Sequence, residues 1–198
     1  MTSTGTQGND YREIARRPLQ ADHCALVVVD IQERLLPPIH EKERLVRNAQ
    51  LLLRLAQNYR LPTIATTQYA KGLGATVPEI ASLLPETKVL DKMTFGCFAH
   101  EPFAAAVRAL PAGRNTLILC GMETHICVLQ TALEALNRGY LVQVAADAVS
   151  SRTELNWRLG LDRMRDAGAV ITSTETIIYE LLHECGTPAF KEMLKHLK

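Results

Sequence analysis

The residue types with the most chemical reach sit in one stretch, TLILCGMETHICVLQTALEALNRG, residues 116–139. An apolar run ends in glycine, and Cys127 follows on what reads as the first turn of a helix over residues 125–138, stopped by Gly139. A thiol in that position faces the positive end of the helix dipole, which favours thiolate, the form that attacks carbonyls. Two charged residues qualify as its helpers. Asp30 comes straight after Leu26-Val27-Val28-Val29, where an unpaired carboxylate is costly. Lys92 lies within VLDKMTFGCF, and a Lys–Asp pair beside a thiol stabilises both thiolate and developing negative charge. Each has a bland reading as well: Asp30 as a turn or helix cap, Lys92 as a surface lysine, Cys127 as a small core hydrophobe like Cys24, Cys120 and Cys185.

Other chemistries find less. Cys97-Phe98-Ala99-His100 and His125-Ile126-Cys127 have ligand types at short spacing, but neither is joined by a second ligand pair, so no metal site is expected. Neither GxGxxG nor GxxxxGK[ST] occurs, so no nucleotide cofactor is expected. His125 reads as a pocket residue or a helix cap, and Ser150 and Ser151 as capping residues.

The elements that must position these groups follow from periodicity. Apolar, β-branched runs predict strands over residues 23–30, 61–67, 88–93, 116–121, 140–148 and 169–173. Helical spacing of Leu45, Val46, Ala49, Leu52, Leu53 and Ala56 predicts a helix after the first strand. Further helices are expected over residues 99–110, 125–138, 153–167 and 175–184, with another turn or two near the C-terminus. Residues 68–85 read as a Gly- and Pro-rich loop. Strictly alternating strands and helices define an α/β fold with a mostly parallel sheet, whose sites lie at the carboxyl ends of the strands. Asp30, Lys92 and Cys127 all fall at that edge.

Composition narrows the partners. The 198 residues suffice for one domain with a sizeable core, and 47% hydrophobic with 22% charged residues is ordinary for a soluble globular protein. A net charge of +1 without a basic block argues against nucleic acid or an anionic membrane as partner. No apolar run is long enough to span a bilayer. Residues 1–20 read as a mobile polar lead-in without a secretory apolar core, and residues 21–198 as a single domain. Five scattered cysteines fit reduced thiols and a cytoplasmic location.

Taken together, VVVDIQERL with Asp30, DKMTFGCF with Lys92, CGMETHICV with Cys127 and ALNRGYLVQVAADAVSSR resemble the isochorismatase-like cysteine hydrolases, over roughly residue 24 to the C-terminus. TTQYAKGLGATVPEI and DAVSSR resemble the subgroup of isochorismatase domain-containing proteins. The resemblance implies a three-layer α/β sandwich, a six-stranded sheet in the order 3-2-1-4-5-6 with helices on both faces. It implies Asp30, Lys92 and Cys127 as a catalytic triad, a non-proline cis peptide at Met122–Glu123 whose turn aims N–H groups at an oxyanion, and a homodimer or larger assembly. Thr67-Gln68-Tyr69-Ala70 stands where family nicotinamidases carry a metal-binding Asp-x-His, so metal-dependent chemistry is not expected. The leading expectation is a metal-independent cysteine hydrolase acting on a small amide or related C–N substrate through a thioester. Gln68, Tyr69, Phe95 and Phe98 are its expected pocket walls. The alternatives are a vinyl-ether hydrolase of the isochorismatase type, with Asp30 as general acid, and a non-catalytic scaffold retaining the fold.

Overall fold

The computed structural model describes residues 17–84 and 86–197; residues 1–16 of the lead-in predicted over residues 1–20 lie outside them. A 3-10 turn, Ala21–His23, opens into β1 (Cys24–Val29), followed by α1 (Lys42–Tyr59) and β2 (Thr63–Gln68). Two short helices, α2 (Ala70–Leu73) and α3 (Pro78–Ala81), precede β3 (Val89–Lys92). A second 3-10 turn, Cys97–Ala99, and α4 (Glu101–Arg108) lead to β4 (Thr116–Met122). A π-helical turn, Thr124–Val128, then runs into α5 (Leu129–Asn137). The chain ends with β5 (Leu141–Ser150), α6 (Glu154–Asp166), β6 (Val170–Thr172), α7 (Thr174–Leu182) and α8 (Pro188–Leu194).

The six strands form one sheet in the order β3-β2-β1-β4-β5-β6, with every adjacent pair parallel, as the resemblance implies. β1 shows why its sequence is apolar without alternation. Leu26 and Val28 face a core built with Leu45, Leu52 and Leu53 of α1 and Ile177 and Leu181 of α7. Ala25, Val27 and Val29 face a second core with Phe103 of α4, Ala132 of α5 and Met164 of α6. A central strand covered on both faces needs hydrophobes at both parities. Packing also begins earlier than expected: Leu19, inside the predicted lead-in, is buried, and its N–H donates to Glu180 Oε2 at 3.0 Å.

Three local expectations change. The segment read as a loop over residues 68–85 holds α2 and α3, the second started by Pro78 at its first position, where a missing N–H costs nothing. β5 runs to Ser150, because a register shift lets Val149 and Ser150 pair with Gly121 and Met122. Ser150 and Ser151 are therefore not the caps of α6. Thr153 is, accepting from Asn156 N–H at 3.2 Å, while Ser150 Oγ donates to the His40 carbonyl.

Candidate active site

At the end of β1 the backbone turns through a left-handed Asp30, φ 50°. The Asp30 N–H donates to the Thr66 carbonyl at 3.1 Å, and Thr66 Oγ1 donates to Asp30 Oδ1 at 2.7 Å, fixing the carboxylate over β2. Lys92 is the last residue of β3, two strands away, a lateral gap of about 10 Å that only a long side chain helps to close. Its ammonium meets Asp30 Oδ2 at 2.6 Å and also donates to Gln68 Oε1 at 3.0 Å and to the Thr94 and Phe95 carbonyls at 3.2 Å. All four of these partners are acceptors, which suits a charged lysine. Burial pushes the Lys92 pKa down, but Asp30, together with the Cys97 and Cys127 thiols, outweighs it and holds the group above its ordinary value.

Gln68, expected in a pocket wall, has its amide engaged: Oε1 accepts from Lys92 and Nε2 donates to the Met93 carbonyl at 2.9 Å. Its backbone is held in turn by the fully buried Gln32, whose Oε1 accepts from Gln68 N–H at 2.7 Å and whose Nε2 donates to the Gln68 and Gly74 carbonyls. Phe98 lies in the core, edge-on to Phe103 at 5.1 Å with the Arg138 guanidinium over its other face, so its ring is already covered by protein. Tyr69 and Phe95 stand exposed beside Lys92.

Cys127 is buried and lies inside the π-helical turn, ahead of α5 rather than within its first turn. The Met122–Glu123 peptide is cis. The Glu123 carbonyl accepts from Ile126 and Val128, the residues on either side of Cys127. The Glu123 carboxylate accepts from Arg152 N–H and Nε at 3.0 and 3.1 Å. Thr131 Oγ1 donates to the Cys127 carbonyl at 2.7 Å and accepts from Cys97 N–H at 3.1 Å. From behind, α6 rests Gly160 on the turn: a Cβ there would sit 3.0 Å from the backbone of Thr124 and His125. His125 Nδ1 pairs with Ser151 Oγ at 2.9 Å.

The pull of a helix start toward thiolate is opposed here by burial. Burial pushes the Cys127 thiol well up, and Asp30 adds to it by charge and by hydrogen bond, against the opposing Lys92. Loss of water and a facing carboxylate both favour the protonated thiol. Cys97, behind it, is pushed up to about 11, chiefly by burial, with Lys92 opposing.

Asp30, Lys92 and Cys127 are thus brought together at the carboxyl edge, where β1 and β4 adjoin and the strand order reverses. The residues the sequence did not single out are Thr66, Gln32, Thr131 and Gly160, while Ser151 was read only as a cap. Gln32 carried a signal, a polar residue two positions beyond Asp30; the others look like ordinary strand, turn or helix residues. Among the described residues, no three His, Cys, Asp or Glu side chains are grouped to hold a metal ion.

Such a sheet, with a carboxylate, an ammonium and a thiol at its reversal point, is the frame of an α/β hydrolytic enzyme. The isochorismatase domain matches residues 24–176, and the chain belongs to the isochorismatase family of hydrolases. It is 39% identical over 176 residues to the secreted isochorismatase effector Isc1 of Phytophthora sojae, covering 87% of this chain and 83% of that one. It is 36% identical over 170 residues to isochorismatase domain-containing protein 2 of Xenopus laevis, covering 86% and 81%. Among solved structures it resembles the YcaC gene product of Escherichia coli, an octameric hydrolase of unknown specificity, with TM-score 0.80, 31% identity and coverage of 84% and 83%.

Proposed function

We propose that the chain is a metal-independent cysteine hydrolase that cleaves a small amide or related C–N bond through a thioester. The observation that carries this reading is the Asp30 carboxylate, held at 2.6 Å by Lys92 and acting on the Cys127 thiol by charge and hydrogen bond. Asp30 takes the thiol proton as sulfur attacks the carbonyl carbon. Lys92 keeps Asp30 ionised before the transfer and balances the charge that moves onto sulfur and oxygen. Backbone N–H groups of the turn after Met122, that of Cys127 included, receive the oxyanion. As the C–N bond breaks, the proton passes from Asp30 to the leaving amine. Water then attacks the thioester, giving its proton to Asp30, and the thiol is restored. The octameric state of the Escherichia coli relative supports a homo-oligomer here.

The test is a panel of small amides with the wild type and Cys127→Ala, alongside iodoacetamide mapping of the thiols. Turnover that disappears with Cys127→Ala, and alkylation of Cys127 ahead of Cys97, support the reading. An amide hydrolysed at full rate by Cys127→Ala would remove the nucleophile. Isochorismate hydrolysis that survives Cys127→Ser would favour the ether reading, and inertness across both panels the scaffold.

A further inference from the structure

Thr131, on the first turn of α5, is fully buried, and its hydroxyl is used twice. It donates to the Cys127 carbonyl at 2.7 Å and accepts from the distant Cys97 N–H at 3.1 Å. A threonine bonded only to the carbonyl four residues back is commonplace in helices. The second bond sets Thr131 apart, because Cys97 belongs to the segment whose carbonyls hold Lys92. Within that segment the Thr94 and Phe95 carbonyls accept from Lys92 Nζ, and Thr94 Oγ1 donates to the Gly96 carbonyl at 2.9 Å. Glu134, further along α5, fixes the same segment: its Oε2 accepts from Phe98 N–H at 3.1 Å, and a Cβ on Gly96 would lie 3.0 Å from that oxygen. Residues 94–98 are therefore held on one side by Lys92 and on the other by α5, the helix that runs directly out of the Cys127 turn.

We infer that Thr131 is a positioning residue, which sets the Cys127 turn against the Lys92 segment and so fixes the thiol relative to the Asp30–Lys92 pair. This rests on Cys127 as the nucleophile. Asp30 follows β1 and Lys92 ends β3, so the sheet holds those two. Cys127 lies beyond β4, in a turn outside the sheet. The Thr131 hydroxyl supplies the remaining link, from the main chain of Cys127 through Cys97 to the carbonyls that accept from Lys92. Proton transfer between sulfur and Asp30 depends on that link, since a misplacement of about 1 Å can cost about a hundredfold in rate. Both bonds of the hydroxyl are buried, so a valine of the same shape leaves the Cys97 N–H and the Cys127 carbonyl without this partner.

The experiment compares wild type, Thr131→Val and Thr131→Ser, each first shown by urea titration to be folded under the assay conditions. Iodoacetamide labelling at pH 8 is followed by mass spectrometry at Cys127, with the fully buried Cys120 as internal reference. Thr131→Val should speed Cys127 labelling by about three- to tenfold, because a thiol drawn away from Asp30 and given water ionises more readily. Cys120 labelling should not change. Thr131→Ser, which keeps the hydroxyl, should label at the wild-type rate. On an amide that the wild type turns over, Thr131→Val should lower kcat by about ten- to a hundredfold with KM nearly unchanged, and Thr131→Ser should restore it. Wild-type labelling of Cys127 in Thr131→Val overturns the inference. So does labelling of Cys127 and Cys120 that rises together, because the residue then only supports the fold, and so does a Thr131→Ser that behaves like Thr131→Val. If Thr131→Val does not fold, Thr131→Ala takes its place, and failure of both to fold counts against the inference for the same reason. Hydrolysis of no amide by the wild type removes the amide reading while the labelling still decides the role of Thr131. Hydrolysis of an amide with kcat unchanged in Thr131→Val does the reverse. No labelling of Cys127 in any of the proteins removes both.

Discussion

The Lys92 ammonium lies 2.6 Å from Asp30 Oδ2, and neither side chain exposes any surface. A buried pair of this kind contributes little net stability against an apolar substitute, yet is costly to break, because the survivor stays buried without its counter-charge. Lys92→Met should therefore lower unfolding stability by about 3–5 kcal/mol in urea titrations, and Asp30→Asn by a similar amount. Both should abolish turnover. The double variant should lose less than the sum of the singles, by about 1 kcal/mol or more; strict additivity would show that the two groups do not act as a pair.

A second prediction concerns the junction of β1 and β4. Gly121 has φ 119°, and a Cβ there would meet the Val29 carbonyl oxygen at 2.0 Å. Both the backbone region and the space are closed to a side chain. Gly121→Ala should cost at least about 2 kcal/mol and should move the turn that follows Met122, so that the rate of Cys127 alkylation changes along with the urea midpoint. A variant with wild-type stability and wild-type labelling would show that this approach is not required.

The contrast between Asp30 and Gln68 explains what the sequence could reveal. Asp30 was legible because a carboxylate ending a run of valines conflicts with its surroundings, and the strand-end rule turns that conflict into a place. Lys92 became legible only through Asp30. Strand order followed from resemblance rather than periodicity, since an apolar run has the same pattern in any strand order. Gln68 was recognised as part of the site but not as the partner of Lys92, because a glutamine's partner depends on the register of β2 against β3, which one sequence does not encode locally. The burial of the thiol was hidden for a related reason. Burial, which dominates its protonation, is a sum over two packed layers, whereas the helix-start signal is local. The π-helical turn that displaces Cys127 from α5 has no periodic signature at five residues.

The protonation state of Cys127 yields a third prediction. A thiolate set up by a helix dipole would alkylate at a rate that levels off near neutral pH. A buried thiol facing Asp30 should instead react with iodoacetamide at a rate still rising beyond pH 9, since its pKa is pushed well above the ordinary value of 9.0 by burial and by Asp30. Pseudo-first-order rates between pH 6 and pH 10, read by mass spectrometry at Cys127, decide this. A plateau below pH 8 would contradict it.

The same physics sets how the fold responds to alkali. In the folded state, burial raises the thiols of Cys24 and Cys97 to about 11 and that of Cys120 to about 12, from an ordinary value of 9.0. Below pH 9 these thiols are protonated in both states and contribute no slope. Between pH 9 and pH 11 the unfolded chain releases protons that the folded chain retains, so stability falls as pH rises, by up to about 1.4 kcal/mol per pH unit for each thiol. Lys92, whose pKa is also raised by Asp30 against its burial, adds to the loss higher up, because its charged form belongs to the folded state. Urea midpoints measured at pH 8, 9, 10 and 11 should therefore be level at first and then decline steeply. Cys24→Ala removes one buried thiol from this balance and should make the decline shallower even if its starting stability is lower, so the slope is the quantity to compare. A wild type with no decline between pH 9 and pH 11, or a Cys24→Ala slope equal to that of the wild type, would show that these thiols ionise in the folded protein as readily as in water.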